Sequence, residues 1–490
     1  MRKKVLAIIL SAALILTLLP ATALAADKYN DHDVAAMVAF LNQYSADSVQ
    51  TNAQVLGCDV NDPSKWNTVG VFWQQDPETS EYYIDALHLS GKTLAGSLNL
   101  SDCKYLTALE CYDNSLTSIN VSNCPDLTDI TAYNNPLTTL DMIDSKALTK
   151  LEVYGSQLSS INVSGCLALT EIDCKECAIE TLNLTGCSAL TEIHCDRNKL
   201  TSLQVGDSTL LTYLNCSGNR LTGIDLSHNT GLTNLDCSSN KLTSLDLSHN
   251  NSLSQLICMD NALTSLNLSG AASLTMVMCD RNKLTTLDVS ASSNLMLLMC
   301  TDNPLTSVKA NNAGHSVSLK ADGNGYVNYY LVPDMGGMFT EGFYASAAAN
   351  SPAVFYNWTR GGVSVGTGEK YDLANGADYD LTAHFLSLSS SQPGSGTYVG
   401  GQITLTPTIP GGAWTFNGSY FTRKGNTFTA LKAGSSTVTY TLNGKRTSIT
   451  VTISGSHKVN PVGISCTKTN VTKYGGSDGS ITVKASGGNS

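Results

Sequence analysis

A period of 21 residues runs from Leu106 to His315, and no other feature constrains the fold as strongly. Ten copies begin at Leu106, Leu127, Leu148, Leu169, Leu190, Leu211, Leu232, Leu253, Leu274 and Leu295, on the pattern LTxLxCxxNxLTSLDLSxxxx. No single copy can bury its own apolar positions, so the copies must stack and share one continuous core. Positions 1, 4, 6, 11, 14 and 16 are expected to point inward. Positions 3 to 6 are expected to form a short strand, paired in parallel with its neighbours roughly 4.8 Å away, which makes ten copies roughly 50 Å long. Position 9 is Asn in eight of the ten copies, among them Asn114, Asn198, Asn219, Asn240 and Asn303. Its amide is expected to turn inward and satisfy backbone groups in the buried turn.

The pattern resembles the leucine-rich repeat consensus. The fold class expected is mainly β. It is a leucine-rich repeat solenoid with short parallel β-strands and little helix, a helical N-terminal cap, and then β-sandwich or other β-rich modules. Composition agrees, with 14% charged residues, 7% aromatic residues and 40 glycines in 490 residues. So long a chain is expected to hold several domains.

Position 6 is a cysteine in eight copies: Cys111, Cys174, Cys195, Cys216, Cys237, Cys258, Cys279 and Cys300. The other two hold Ala132 and Val153. All are small and apolar, and a free thiol behaves as a small hydrophobe. In-register strands keep Cβ atoms about 4.8 Å apart, beyond the roughly 3.5–4.5 Å of a disulfide. The column also lacks the C-x-x-C hairpins of zinc sites. A ladder of buried free thiols is the expectation. Cys103, Cys124, Cys166 and Cys187 share position 19, read as a convex-side turn. They are either two disulfides or free, partly buried thiols. Cys177 takes the place of the ladder Asn. The total of 15 cysteines is odd, so not all can pair within the chain.

Over residues 84–310 this repeat, as in LTNLDCSSNKLTSLDLSHN, resembles the cysteine-ladder internalins of bacterial cell surfaces. The resemblance implies an exported binding or adhesion protein and supplies no ligand. Residues 311–386 resemble a divergent internalin-type B-repeat, through the F-x-x-W segment at Phe355 and Trp358 and the closing DLTAHF. Residues 387–456 resemble a bacterial Ig-like domain, and residues 457–490 the start of an SprB-like repeat. Because that last module normally continues further, the chain is expected to stop inside it.

Residues 1–25, MRKKVLAIILSAALILTLLPATALA, read as a secretory signal peptide: a basic start, a short apolar run and an Ala-Leu-Ala exit. No other run approaches the length of a transmembrane helix, so no transmembrane segment is expected after cleavage. Past residue 25, the remaining 26 basic residues face 40 acidic ones, a balance of −14. With no basic cluster, nucleic acid and anionic membranes are not expected partners. Residues 26–83 read as the N-terminal cap. Apolar residues at helical spacing follow Asp33, the expected N-cap, and Trp66 and Trp73 are expected to cover the first coil.

Positions 3, 5 and 7 are expected to face outward on the concave sheet. Position 7 holds Tyr112, Tyr133 and Tyr154 in consecutive copies, with Glu110, Asp129, Glu152, Glu171, Asp173 and Glu192 beside them. The tyrosines suit recognition, each a rigid face with a hydroxyl, but equally a cross-strand ladder that only stabilises the sheet. Near the other end, Ile257, Met259, Met276, Met278, Leu297 and Met299 fall at outward positions. They form either an adaptable apolar patch or a surface that the next module covers. His228 and His249, at position 18, read as solvated turn residues ahead of a metal pair. No H-E-x-x-H, G-x-S-x-G or P-loop occurs, and no enzyme, cofactor or metal is expected. Two functions compete. One is a secreted or cell-surface adhesin, monomeric, that binds a host or microbial surface protein or glycan, with the C-terminal modules as a stalk. The other is an accessory region of a larger exported enzyme or scaffold.

Overall fold

The structure is a computed structural model, and it describes residues 28–312, 315–332, 342–373, 377–392, 396–455, 463–468 and 481–486. The signal peptide reading and most of the SprB-like segment lie outside the described residues. The chain divides into two compact units. The first holds residues 1–319, 328–346 and 372–380, and the second holds residues 320–327, 347–371 and 381–490.

The first unit is a β-solenoid of about 11 turns. Each 21-residue copy adds one coil. Three-residue strands from Ala108–Glu110 to Leu297–Met299 pair in parallel, position for position, so that Ile172 lies beside Leu151 and Ile193. The strands cover positions 3 to 5, one residue fewer than expected. The position 6 N–H still continues the ladder, since the Cys174 N–H donates to the His194 carbonyl at 2.8 Å. The coils carry a second set of strands that the sequence reading did not anticipate, at positions 13 to 15. Ser160–Asn162 pairs with Thr181–Asn183, and Ser244–Asp246 with Ser265–Asn267. Between the two sets, positions 1, 4, 6, 11, 14 and 16 form the core; Leu232, Leu235, Cys237, Leu242, Leu245 and Leu247 are all buried.

Two columns of polar side chains satisfy the turns. The Asn198 side-chain amide donates to the carbonyls of Cys174 (2.9 Å), Cys195 (3.1 Å) and Asp196 (3.2 Å), and its oxygen accepts from the Ile179 N–H at 3.0 Å. The same four bonds recur at Asn219, Asn240, Asn261, Asn282 and Asn303. Where Cys177 replaces Asn, its thiol reaches the Val153 and Lys175 carbonyls at 3.4 Å, and Ser156 at 3.0 Å. The second column is position 19. Its residues are fully buried, which corrects the expectation of partly buried convex-side thiols. In most coils the side chain reaches back to the preceding coil: Cys124 Sγ to the Leu100 carbonyl at 3.1 Å, Ser145 Oγ to Val121 at 2.9 Å, Asn229 Nδ2 to Val205 at 3.0 Å; Ala271, buried in the same column, has no donor. Position 19 thus takes a small side chain, with thiol, hydroxyl or amide serving as the donor in most coils.

The N-terminal end of the solenoid is closed by two helices and a strand. Helix α1, Asp31–Leu41, buries Val34, Met37, Phe40 and Leu41. Its N-cap is Asn30, not Asp33: Asn30 Oδ1 accepts from the N–H groups of His32 and Asp33. Asp33 is buried and accepts instead from the Ile84 N–H at 2.9 Å, a partner 51 residues away. Helix α2, Asn52–Leu56, carries Asn52, whose amide group pairs with both backbone groups of Ala95; Gln43 does the same for Ser97. These two side chains occupy the free edge of the strand Ala95–Asn99, which would otherwise template another chain. Trp66 is wholly buried and stacks on Trp73, ring centroids 6.0 Å apart. At the other end, the strand Gly325–Val332 continues the sheet antiparallel, Leu331 opposite Leu298.

In the second unit, Val354–Arg360 pairs antiparallel with Val363–Gly366 and Tyr379–Leu386. The motif residues Phe355, Trp358 and Phe385 pack together, with ring centroids of Phe355 5.8 Å from Trp358 and 5.9 Å from Phe385. Two four-stranded sheets follow, around a core of Ile403, Leu405, Phe421, Phe428, Ala430, Val438, Val451 and Ile453. The strands Gly463–Lys468 and Ile481–Ser486 pair antiparallel.

Candidate functional site

The long parallel sheet presents one column of residues per outward position. At position 7, Tyr112, Tyr133 and Tyr154 lie ring on ring. Centroids are 4.6 Å apart for the first pair and 4.4 Å for the second, with planes 11° and 6° apart. The coil spacing and the offset-stacking distance nearly coincide, so the backbone repeat itself sets the stack. Each ring is half-buried. Desolvation in the stack pushes the Tyr133 hydroxyl up to about 12.

Sequence reasoning missed how this column continues. Lys175, position 7 of the next coil, places its Nζ 4.4 Å from the Tyr154 ring centroid and pairs with Asp173 at 2.6 Å. A cation thus closes the tyrosine stack. One coil further, His194 stacks on Tyr213 at 4.7 Å. The signal was available: both sit in the outward columns that singled out the tyrosines, but neither repeats its neighbour's residue type.

The expected acids divide. Glu110 and Glu152 are half-buried; Glu152 pairs with Lys150 at 3.1 Å and accepts from Thr131 Oγ1. Asp173 is buried, and Lys175 occupies it. At the far end Ile257, Met259, Met276, Met278 and Met299 are half-buried, and Leu297, at an outward position, is buried, as the alternative of a covered surface has it. It lies in the last parallel strand, next to the added strand Gly325–Val332, where the surface is no longer that of an open repeat.

The eight thiols of position 6 are all buried and free. Burial pushes Cys111, Cys216 and Cys300 up to about 12, and Cys174, Cys195, Cys237 and Cys279 well above the ordinary thiol range. They are inert as nucleophiles at neutral pH. Cys103, Cys124, Cys166 and Cys187 are free as well. His228 and His249 are exposed, each beside its preceding serine at 3.2 Å. Among the described residues, His32, Asp33 and Cys103 place their ligand atoms within 4.8 Å of one another. Asp33 there already accepts from the Ile84 N–H, with His32 Nδ1 at 3.1 Å. No helix among the described residues is long and apolar enough to cross a membrane.

The stacked coils, the asparagine column and the buried thiols together define a leucine-rich repeat solenoid with a cysteine ladder. Among solved structures the chain is similar to the functional domain of InlJ from Listeria monocytogenes, which includes a cysteine ladder. Identity is 22% and the TM-score 0.42, over 76% of this chain and 81% of that one. It is also similar to YopM from Yersinia enterocolitica (25%, 0.37, 47% and 54%) and to the leucine-rich repeat domain of APL1B (21%, 0.32, 41% and 69%). No protein-family model and no curated protein matches the sequence.

Proposed function

We propose that this protein is an exported recognition protein of a bacterial surface, whose solenoid binds a protein or glycan on its concave face. The observation that carries the reading is the column Tyr112–Tyr133–Tyr154–Lys175. Three parallel rings and a cation form a preordered strip whose side chains have little left to lose on binding. Residues 311–386 and 387–456 act in this reading as a β-rich stalk. The working residues are Tyr112, Tyr133, Tyr154, Glu110 and Glu152, with Met259, Met276, Met278, Met299 and Ile257 as a second contact zone.

The test is binding of the full chain to a panel of mucins, defined glycans and surface-protein extracts, beside a variant with Tyr112, Tyr133 and Tyr154 changed to Ser. Specific binding that falls at least ten-fold in a variant still folded by circular dichroism is the expected result. Binding unchanged in the variant would remove the tyrosine column from the site.

A further inference from the structure

Cys103 stands first in the position 19 column. Further along, the column's thiols point at carbonyls of the preceding coil, as Cys124 does at Leu100. Ahead of Cys103 lies the helical cap instead, and His32, Asp33 and Cys103 each place one ligand atom within 4.8 Å of the others. The local sequence explains how they meet. Asn30 caps helix α1 by accepting from the N–H groups of both His32 and Asp33. That frees the Asp33 carboxylate to turn toward the first coils, where its Oδ2 accepts from the Ile84 N–H at 2.9 Å. Its Oδ1 is left facing His32 Nδ1 at 3.1 Å.

The three residues run from the surface inward. Asp33 and Cys103 are buried, whereas the His32 side chain is 50% exposed. His32 also lines an open groove of about 360 Å³, together with Ala36, Phe40 and Ser101, which gives an approach from solvent. A carboxylate and a thiol are thus packed together beneath an accessible imidazole. Among the described residues, His32 is the one basic side chain paired with Asp33. A buried carboxylate is costly unless a charge or a metal ion compensates it.

We propose that His32, Asp33 and Cys103 form a binding site for a zinc ion, which pins helix α1 to the coil that carries Cys103. Imidazole, carboxylate and thiolate are each zinc ligands, and a set with one sulfur and one nitrogen disfavours calcium and magnesium, which take oxygen. Nitrogen and oxygen donors about 2.0–2.1 Å from a tetrahedral ion lie roughly 3.3 Å apart. His32 Nδ1 and Asp33 Oδ1, at 3.1 Å, are already close to that spacing. The sulfur closes on the ion to about 2.3 Å, and its proton passes to solvent as the thiolate forms. The Ile84 N–H orients the carboxylate through its other oxygen, as the outer partners of metal ligands do. Water takes the fourth place, on the side of the groove. Such an ion can enter as the cap docks, since zinc binding and folding are coupled.

The test uses the full chain, kept reduced and stripped of metal by a chelator. Cobalt(II) is the optical probe, because a tetrahedral cobalt ion bound to a thiolate absorbs strongly where the hydrated ion does not. The parent chain is expected to bind one equivalent of zinc or cobalt and to show the thiolate–cobalt band. Its thermal midpoint should rise with zinc, which binds the folded state, and not with calcium or magnesium. Cys103→Ser should lose the band. Cys124→Ser changes the next thiol of the same column and should keep it, which controls for the other thiols of the chain. His32→Ala alters an exposed side chain, so it should fold as the parent does by circular dichroism, yet bind zinc at least ten-fold more weakly. No zinc-dependent rise in the parent, an equal rise with calcium, a band that survives Cys103→Ser, its loss in Cys124→Ser, or undiminished zinc affinity in His32→Ala would each overturn the site. The three side chains would then be a hydrogen-bonded contact between cap and coil.

Discussion

The side-chain amide of Asn219 donates to the carbonyl oxygen of Cys195, 24 residues earlier, at 2.9 Å. It also donates to the Cys216 and Ser217 carbonyls and accepts from the Leu200 N–H. One buried amide therefore satisfies four backbone groups of two successive coils. Asn219→Ala leaves these groups without a partner in a turn that no sheet reaches. A loss of about 2–4 kcal/mol is expected from the cost of unpaired buried groups, read as a lower urea midpoint with an unchanged denaturant slope.

The reverse substitution applies at Cys177, where the column lapses. The thiol makes long contacts, and the Leu158 N–H, which a ladder asparagine would engage, reaches only Ser156 Oγ at 3.5 Å. Cys177→Asn restores the donor pair and the acceptor. It is expected to stabilise the protein by about 1 kcal/mol, the net worth of a completed hydrogen bond. A fall in thermal midpoint would show that this coil cannot accommodate the amide.

Tyr133 stacks on two rings, whereas Tyr112 stacks on one. At about 0.5–1.5 kcal/mol per aromatic pair beyond the area buried, Tyr133→Ala should cost about 0.5–1.5 kcal/mol more than Tyr112→Ala in urea unfolding. Equal losses would mean that the stack adds nothing beyond the area each ring buries.

The thiol ladder makes stability fall at alkaline pH. A thiol at 9.0 when unfolded and near 12 when folded, as at Cys216, keeps its proton longer in the native state. Above pH 9 the unfolded chain binds fewer protons, so stability is full below pH 9 and is lost as pH rises toward 12. Each such thiol contributes a slope of about 1.4 kcal/mol per pH unit in that window. Urea unfolding at pH 8, 9, 10 and 10.5 should show a steep decline, made shallower by Cys216→Ala with Cys237→Ala. Identical slopes in the variant would assign the decline to other groups.

Much of the solenoid was legible because a period carries its own partners. When residue i recurs at i + 21, its neighbour in the next coil is known. The inward positions, the role of the position 9 asparagine and the stacking of Tyr112, Tyr133 and Tyr154 follow from that alone. Periodicity failed where the partner is not one period away. Asn30 caps helix α1 because Asp33 is drawn to Ile84 across the cap. Leu297 is buried at the solenoid's end, where an antiparallel strand from outside the repeat pairs with its own.

The sequence by itself determined the coil, its core and the columns on its faces, since these follow from residue type repeating in register. Only the tertiary structure decided which polar groups in those columns are satisfied. Position 19 reads as a loose mixture of Cys, Ser, Asn and Ala until most of its polar side chains are seen to reach a carbonyl of the preceding coil. Asp196 and Asp280 share one register and one residue type, yet a single hydroxyl and N–H in the next coil turn toward one and away from the other. Hydrogen bonding is directional, and direction is set by the folded backbone, which residue spacing alone does not specify.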